Sequence, residues 1–274
     1  MKKVVVSILK IIIFFIGWAV LAGIIEVPIE DPAIWRFFAE LIPFLVMVVF
    51  TVIFLLIEKK QIKIPIFHNG IKGTAVGLFI GALWIAISTL LIMMFGGITF
   101  AGKNHVDCLW LWIISAFINV IMQELLVRGY IYQLLKEKFN LSVAVIVTTA
   151  LFTLMHGGAF SAGPISVINV ITMCLFTTAL YEAEETILAP IMAHAVWNIV
   201  GSLFLGCVSL AEDYPNLLNA EPLGYTLISG GEYLVESSVI VTVINFLLFL
   251  FFLIIYMKKK PSTRNQLEMI LSCL

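Results

Sequence analysis

Residues 74–98 read TAVGLFIGALWIAISTLLIMMFGGI and contain no Asp, Glu, Lys or Arg. A helix of about 20 apolar residues is long enough to cross a bilayer core of about 30 Å. Seven further mostly apolar stretches, some with isolated charged residues, occur along the chain, at 4–25, 34–57, 109–135, 141–160, 164–181, 186–210 and 237–257. They are too long and too continuous for barrel strands, which alternate over about 10 residues. The pattern predicts an all-α polytopic membrane protein with about eight transmembrane helices.

The composition supports this fold class. Hydrophobic residues make up 62% of the 274-residue chain, charged residues make up 12%, and the mean hydropathy is +1.11. A soluble domain has roughly half apolar and about a quarter charged residues. The composition therefore excludes an ordinary cytosolic domain, a disordered chain and a nucleic-acid binder with a basic face. No polar linker divides the sequence, so we expect one membrane domain over residues 1–274, and we interpret the N-terminal apolar run as an anchor.

The positive charges predict the orientation. With eight spans, thirteen of the 16 Lys and Arg residues fall on one side, Arg36 and Lys103 fall on the other, and Arg128 lies within a span. Short loops rich in Lys and Arg stay in the cytoplasm. We therefore expect a multi-pass protein of the cell membrane with both termini in the cytoplasm, and the short basic loops are typical of a bacterial protein.

Two groups of residues are expected to have ordinary structural roles. Arg36 and Glu40, four residues apart near a span end, are expected to extend to the membrane interface. The cysteines are scattered without a CxxC pair, and we interpret them as buried thiols. They are Cys108, Cys174, Cys207 and Cys273.

Away from the span ends, few ionisable residues lie within the predicted spans, and such residues indicate a functional site. Glu124 and Arg128 are four residues apart and share a helix face, as do His194 and Asn198. His156 lies in a third span. Because a polar group alone in hydrocarbon stays unsatisfied, we expect these three helices to direct their polar faces into one cavity. The amides in the same spans are Asn119, Gln123, Asn169 and Asn198.

These residue types suit hydrolysis of an amide bond by activated water. A carboxylate can act as general base, and a histidine can orient the water or pass a proton to the leaving amine. A second histidine with an amide donor can stabilise an oxyanion. No Ser or Cys stands beside a base, so covalent catalysis is less favoured. A zinc site of His156, His194 and Glu124 is an alternative, although the HExxH motif is absent, and the metal requirement stays open.

Three motifs in this order resemble those of the CPBP family, which comprises CAAX prenyl proteases and bacteriocin-processing enzymes of the membrane. The EExxxR motif is matched by QELLVR at 123–128, FxxxH by FTLMH at 152–156, and HxxxN by HAVWN at 194–198. The resemblance covers about residues 109–205 and implies a conical catalytic core of four helices. It also implies an intramembrane endopeptidase, with catalytic Glu124, His156, His194 and Asn198 and with Gln123 and Arg128 in support.

One position departs from the family pattern. Gln123 stands where the family has the first glutamate, which is taken as the base that activates water, and a glutamine cannot usefully accept a proton. Either Glu124 takes over this role or catalysis is weakened or lost. Neighbouring residues lie about 100° apart around a helix, so an exchange of roles requires the helix to rotate.

The main hypothesis is therefore an endopeptidase that cleaves a membrane-associated peptide or protein with water activated by Glu and His. The alternative is a catalytically weak or inactive member that acts as a bacteriocin-immunity or scaffold protein, which Gln123 favours. A transporter is less favoured because the sequence lacks repeated halves. The expected partners are the lipid bilayer and the peptide substrate, without nucleic acid, and the cavity is expected to open toward the cytoplasm.

Overall fold

The computed structural model describes residues 2–59, 61–209 and 213–260, which form a helical bundle with a two-stranded β-sheet. Strand β1 (Ile98–Lys103) pairs antiparallel with β2 (Leu218–Pro222). The α-helices are α1 (Lys2–Gly23), α2 (Pro32–Ile57), α3 (Gly70–Met94), α4 (Leu109–Glu124), α5 (Tyr130–Lys138), α6 (Leu141–Met155), α7 (Gly157–Ala162), α8 (Pro164–Glu184), α9 (Leu188–Asn198), α10 (Thr226–Ser229) and α11 (Val239–Lys259). The predicted class of polytopic helical membrane protein is confirmed.

The predicted number of eight spans is not confirmed. Within the described residues, six helical stretches are long and apolar enough to cross a membrane: Val4–Gly23, Pro32–Ile57, Gly70–Met94, Leu109–Lys138, Pro164–Glu184 and Gly231–Lys259. The other two predicted spans are shorter apolar helices, Leu141–Met155 and Leu188–Phe204. The first ends because His156 leaves helical geometry (φ −89°, ψ 58°). The second is followed by Gly206 at φ +64°, a left-handed conformation that glycine adopts readily.

Helix α3 packs closely against α9 through a stripe of glycines. A Cβ atom on Gly77 would lie 2.3 Å from the carbonyl oxygen of Ala189, and one on Gly81 would lie 2.7 Å from that of Ala193. Glycines four residues apart let two helix backbones approach each other in a membrane. Because Ala193 precedes His194, this contact fixes the part of α9 that carries the third motif.

Basic residues gather at one end of the bundle, where Lys63, Lys136 and Lys260 line a common pocket. At this end Lys72 pairs with Glu184 at 2.8 Å, close to the start of α9. Helix α9 leads to the opposite end, where Leu203 accepts a hydrogen bond from the residue before β2. This separation agrees with the charge asymmetry of the sequence. The orientation in the membrane stays a prediction, and Lys60 and Arg264, two of the basic residues behind it, lie outside the described residues.

The interpretation of the cysteines as buried thiols is wrong for Cys108. This residue is exposed because it precedes α4 in a turn, with a left-handed backbone at φ 52°. Cys174 and Cys207 are buried and free. Cys273 lies outside the described residues.

Candidate active site

A cavity of about 300 Å³ brings together residues of all three motifs. Gln123 reaches it from α4, His156 from the end of α6, and His194 and Asn198 from α9. Glu124 does not line the cavity. Further polar lining residues are Asn119, Ser166, Asn169, Ser209, Tyr233, Glu236 and Asn245.

Glu124 is buried in an ion pair beside the cavity. Arg128 Nη1 donates to both carboxylate oxygens, at 2.9 and 2.8 Å, across one turn of the chain. The remaining donors of Arg128 reach α8, where the Oγ1 of Thr177 and the carbonyl of Cys174 accept at 2.7 and 2.8 Å. Both side chains are almost fully buried. A buried carboxylate needs such a partner because desolvation of an unpaired charge costs several kcal/mol.

The same carboxylate holds His194. Nδ1 of His194 lies 3.0 Å from Oε1 of Glu124. An ionised carboxylate only accepts hydrogen bonds, so Nδ1 carries the proton and Nε2 of the neutral ring is a free base. Glu124 does not line the cavity itself, and it acts on the cavity through the imidazole ring of His194.

His156 has the same tautomer for a different reason. Its Nδ1 lies 2.7 Å from the carbonyl oxygen of Phe152, which can only accept. The Phe152 ring also packs against the imidazole, with centroids 4.2 Å apart. The FxxxH spacing therefore provides both the backbone acceptor and the packing surface for His156. Both histidines of the cavity present Nε2 as an acceptor.

Asn198 lies one turn beyond His194 on α9 and is 6% exposed. Within the described residues, its side chain forms no hydrogen bond, although it lines the cavity. The neighbouring Trp197 stacks on Trp84 of α3 at 3.9 Å between ring centroids, which fixes this turn of α9. The amide of Asn198 is therefore a donor that a ligand in the cavity can use.

Gln123 lines the cavity, and a chain of hydrogen bonds fixes its amide. Its Nε2 donates to Oδ1 of Asn119 at 2.6 Å, and Nδ2 of Asn119 donates to Oε2 of Glu40 at 2.7 Å. The other oxygen of Glu40 accepts from Arg36, which also pairs with Asp213. A carboxylate can only accept, so Asn119 must turn its NH₂ to Glu40 and its oxygen to Gln123. Among the residues that the structure describes, the Oε1 of Gln123 is left as a buried acceptor without a partner.

This chain corrects the interpretation of Arg36 and Glu40. Glu40 has a role inside the bundle, because it is 6% exposed and holds Asn119. The sequence contains a signal for this role, since Glu40 is an acidic residue within an apolar helix. The signal is obscured because Arg36, one turn earlier, offers a local partner.

The cavity extends toward the end of the bundle that carries the β-sheet, away from the basic end at which it was expected to open. Its lining includes Ser209, Tyr233 and Glu236, which follow α9 and precede α11. Glu236 was missed by sequence analysis because it belongs to no motif and lies in a long segment between two helices.

The predicted zinc ligands do not form a metal site. Within residues 2–59, 61–209 and 213–260, no group of three His, Cys, Asp or Glu side chains is placed to hold a metal ion. Both oxygens of Glu124 are bound by Arg128, which leaves neither oxygen free for a metal ion. The residues therefore do not fit a site of Glu124, His156 and His194.

Comparison with curated proteins and with solved structures gives no match to this chain. A family model does match residues 105–200, and its description is Rce1-like, type II CAAX prenyl endopeptidase. The matched residues contain the three motifs and overlap the core expected at 109–205. Residues 105–200 of this polytopic membrane protein are thus Rce1-like, which confirms the family that the motifs predict.

Proposed function

We propose that the protein is an intramembrane endopeptidase that hydrolyses a peptide bond in a membrane-associated peptide or protein. The observation that supports this most directly is the pairing of His194 with Glu124 at the wall of a cavity that also holds His156 and Asn198. A carboxylate on one imidazole nitrogen fixes the tautomer and stabilises the imidazolium that forms when the other nitrogen takes a proton.

In the first step, a water oxygen bonds to the carbonyl carbon of the peptide while His194 Nε2 takes one of its protons. The carbonyl π electrons move to the oxygen, and Asn198 donates a hydrogen bond to the resulting oxyanion. A single donor of this kind is worth about 10²–10³ in rate. His156 Nε2 accepts the second hydrogen of the water and holds it in position.

In the second step, the oxyanion re-forms the carbonyl, the C–N bond breaks, and His194 returns its proton to the leaving nitrogen. The products are a carboxylic acid and an amine. Glu124 is here a positioning residue that acts through His194, and Arg128 keeps it ionised. Gln123 Oε1, a buried acceptor with no partner in the described part of the chain, accepts a backbone N–H of the substrate when the substrate enters the cavity.

A second candidate function is peptide binding without hydrolysis, as in an immunity or scaffold protein. Gln123 favours it, because an amide side chain lines the cavity where the family has a carboxylate. An amide oxygen binds a hydrogen but does not take up a proton at neutral pH.

We further propose that the protein lies in the cell membrane of a bacterium with its basic end in the cytoplasm. The substrate is then a peptide or small membrane protein. In this orientation the cavity extends toward the outer face.

A comparison of peptide termini in cell membranes tests the proposed function. Cells make equal amounts of the wild-type protein, His194→Ala or His68→Ala, in which an exposed histidine outside the cavity serves as the control. We expect new termini with the wild type and His68→Ala and none with His194→Ala. Identical termini in all three strains, with a phenotype that depends on the protein, would support the binding function instead.

A further inference from the structure

Glu236 lies in the wall of the same cavity, outside the Rce1-like residues. It belongs to the turn Gly231–Ser237 that precedes α11. The turn is fixed to α8, because Asn169 Nδ2 donates to the carbonyl oxygens of Glu236 and Ser238 at 2.9 and 3.0 Å. The carboxylate is therefore carried by a well-anchored segment.

One oxygen of this carboxylate remains available. Oε2 accepts the backbone N–H of Ser209 at 2.8 Å. Oε1 forms no hydrogen bond within the part of the chain that the structure describes. Glu236 is partly buried, and its free oxygen belongs to a residue that lines the cavity.

Glu236 also differs from the other carboxylates inside the bundle, which have cationic partners. Glu58 pairs with Lys10 at 2.5 Å, and Glu182 pairs with Lys136 at 2.5 Å. Among the described residues, no Lys, Arg or His forms an ion pair with Glu236. A partly buried carboxylate without a counter-charge is unfavourable in its ionised form, and it is stabilised either by uptake of a proton or by a ligand that supplies a positive charge.

We propose that Glu236 binds a cationic group of the peptide substrate, so that the cavity selects peptides with an amine or guanidinium at one position. A charge-assisted hydrogen bond from such a group to Oε1 would complete the coordination of the carboxylate. The apolar wall beside it, which includes Val170, Met173 and Trp197, accommodates uncharged neighbouring residues. The inference rests on the proposed function only in taking the ligand to be a peptide.

Binding to the His194→Ala protein tests this inference separately from hydrolysis. The probes are fluorescent, N-acetylated apolar peptides in which a single Lys moves one position at a time, each matched by a peptide with norleucine at that position. We expect one Lys position to bind about tenfold more tightly than its norleucine match, which is the size of a charge-assisted hydrogen bond. A norleucine peptide with a free amino terminus shows whether the terminal amine serves as the cation.

Glu236→Gln, added to His194→Ala, should abolish the preference, because the amide keeps the shape and can still accept from Ser209. The matched control is Glu232→Gln, which removes an exposed carboxylate from the same turn and should keep the preference. Equal binding of charged and uncharged peptides, or a preference that survives Glu236→Gln, would overturn the inference. If the wild type cleaves peptides but shows no preference for Lys over norleucine, the proposed function stands and this inference fails. If the protein prefers Lys peptides but no cleavage is found, this inference stands and the proposed function fails.

Discussion

Nδ1 of His194 lies 3.0 Å from Oε1 of Glu124, although the two residues are 70 positions apart in the chain. Arg128 holds the same carboxylate from within its own helical segment. One buried anion therefore satisfies an arginine that packs the core and also sets the tautomer of a histidine at the cavity. Stability and reactivity are coupled at this point.

The first prediction concerns this ion pair. Arg128→Met leaves Glu124 without its cation, and we expect the free energy of unfolding to fall by about 3–5 kcal/mol. The double variant Glu124→Gln, Arg128→Met should recover part of this loss because no charge remains buried. Thermal unfolding in detergent measures both. Equal stability of the wild type and Arg128→Met would contradict the account.

The second prediction concerns Gln123. Gln123→Glu restores the carboxylate of the family pattern but places an oxygen against Oδ1 of Asn119, which cannot turn because Glu40 holds its NH₂. We expect a loss of about 1–3 kcal/mol in stability. In Glu40→Gln the amide at position 40 can donate as well as accept, so Asn119 can turn its NH₂ toward the carboxylate at position 123. This second substitution should therefore restore the stability lost in Gln123→Glu. A double-mutant cycle gives the coupling between positions 40 and 123, and additive effects would show that the chain of hydrogen bonds does not fix Gln123.

The third prediction concerns the contact between α3 and α9. Gly81→Ala places a Cβ 2.7 Å from a carbonyl oxygen of α9, and overpacking of this kind costs about 1–3 kcal/mol. The displaced α9 carries His194, so we expect cleavage to fall by more than the loss of folded protein explains. Gly23→Ala is the control, because nothing lies within 4 Å of its added Cβ. Normal cleavage by Gly81→Ala would show that α9 is positioned in another way.

The fourth prediction concerns orientation. Cys108 is exposed beyond β1, at the end of the bundle that carries the β-sheet, whereas Cys174 and Cys207 are buried. In intact cells a membrane-impermeant maleimide should label the wild type from outside, and Cys108→Ser should remove this label. Labelling of Cys108 only after the cells are opened would place this end of the bundle in the cytoplasm.

The fold class followed from the sequence because apolar runs of this length have few alternatives. The number of spans did not follow from the sequence, because composition alone does not show where a helix ends. His156 ends α6 through its backbone angles, and the run after α9 ends near Gly206. The glycine stripe of α3 could have been recognised from its spacing of four residues, at 73, 77 and 81.

The candidate site was predictable only in part. The order of the motifs predicts His156, His194 and Asn198 as site residues. In the structure all three line one cavity. The rotation of a helix about its axis decides which of two adjacent side chains faces the cavity. In the structure Gln123 faces the cavity, whereas Glu124 points to Arg128. Glu40 and Glu236 belong to the site through contacts with residues distant in sequence, Asn119 and Ser209. A local sequence pattern does not identify these partners.

The central claim is that His194 activates water for peptide hydrolysis. The most direct measurement uses purified protein in lipid vesicles, a peptide identified from the membrane termini, and water enriched in ¹⁸O. We expect the wild type to release a product whose new carboxyl group contains one ¹⁸O, and we expect His194→Ala to bind the peptide without releasing product. Binding of the peptide by the wild type without any product, or equal labelling by His194→Ala, would contradict the account.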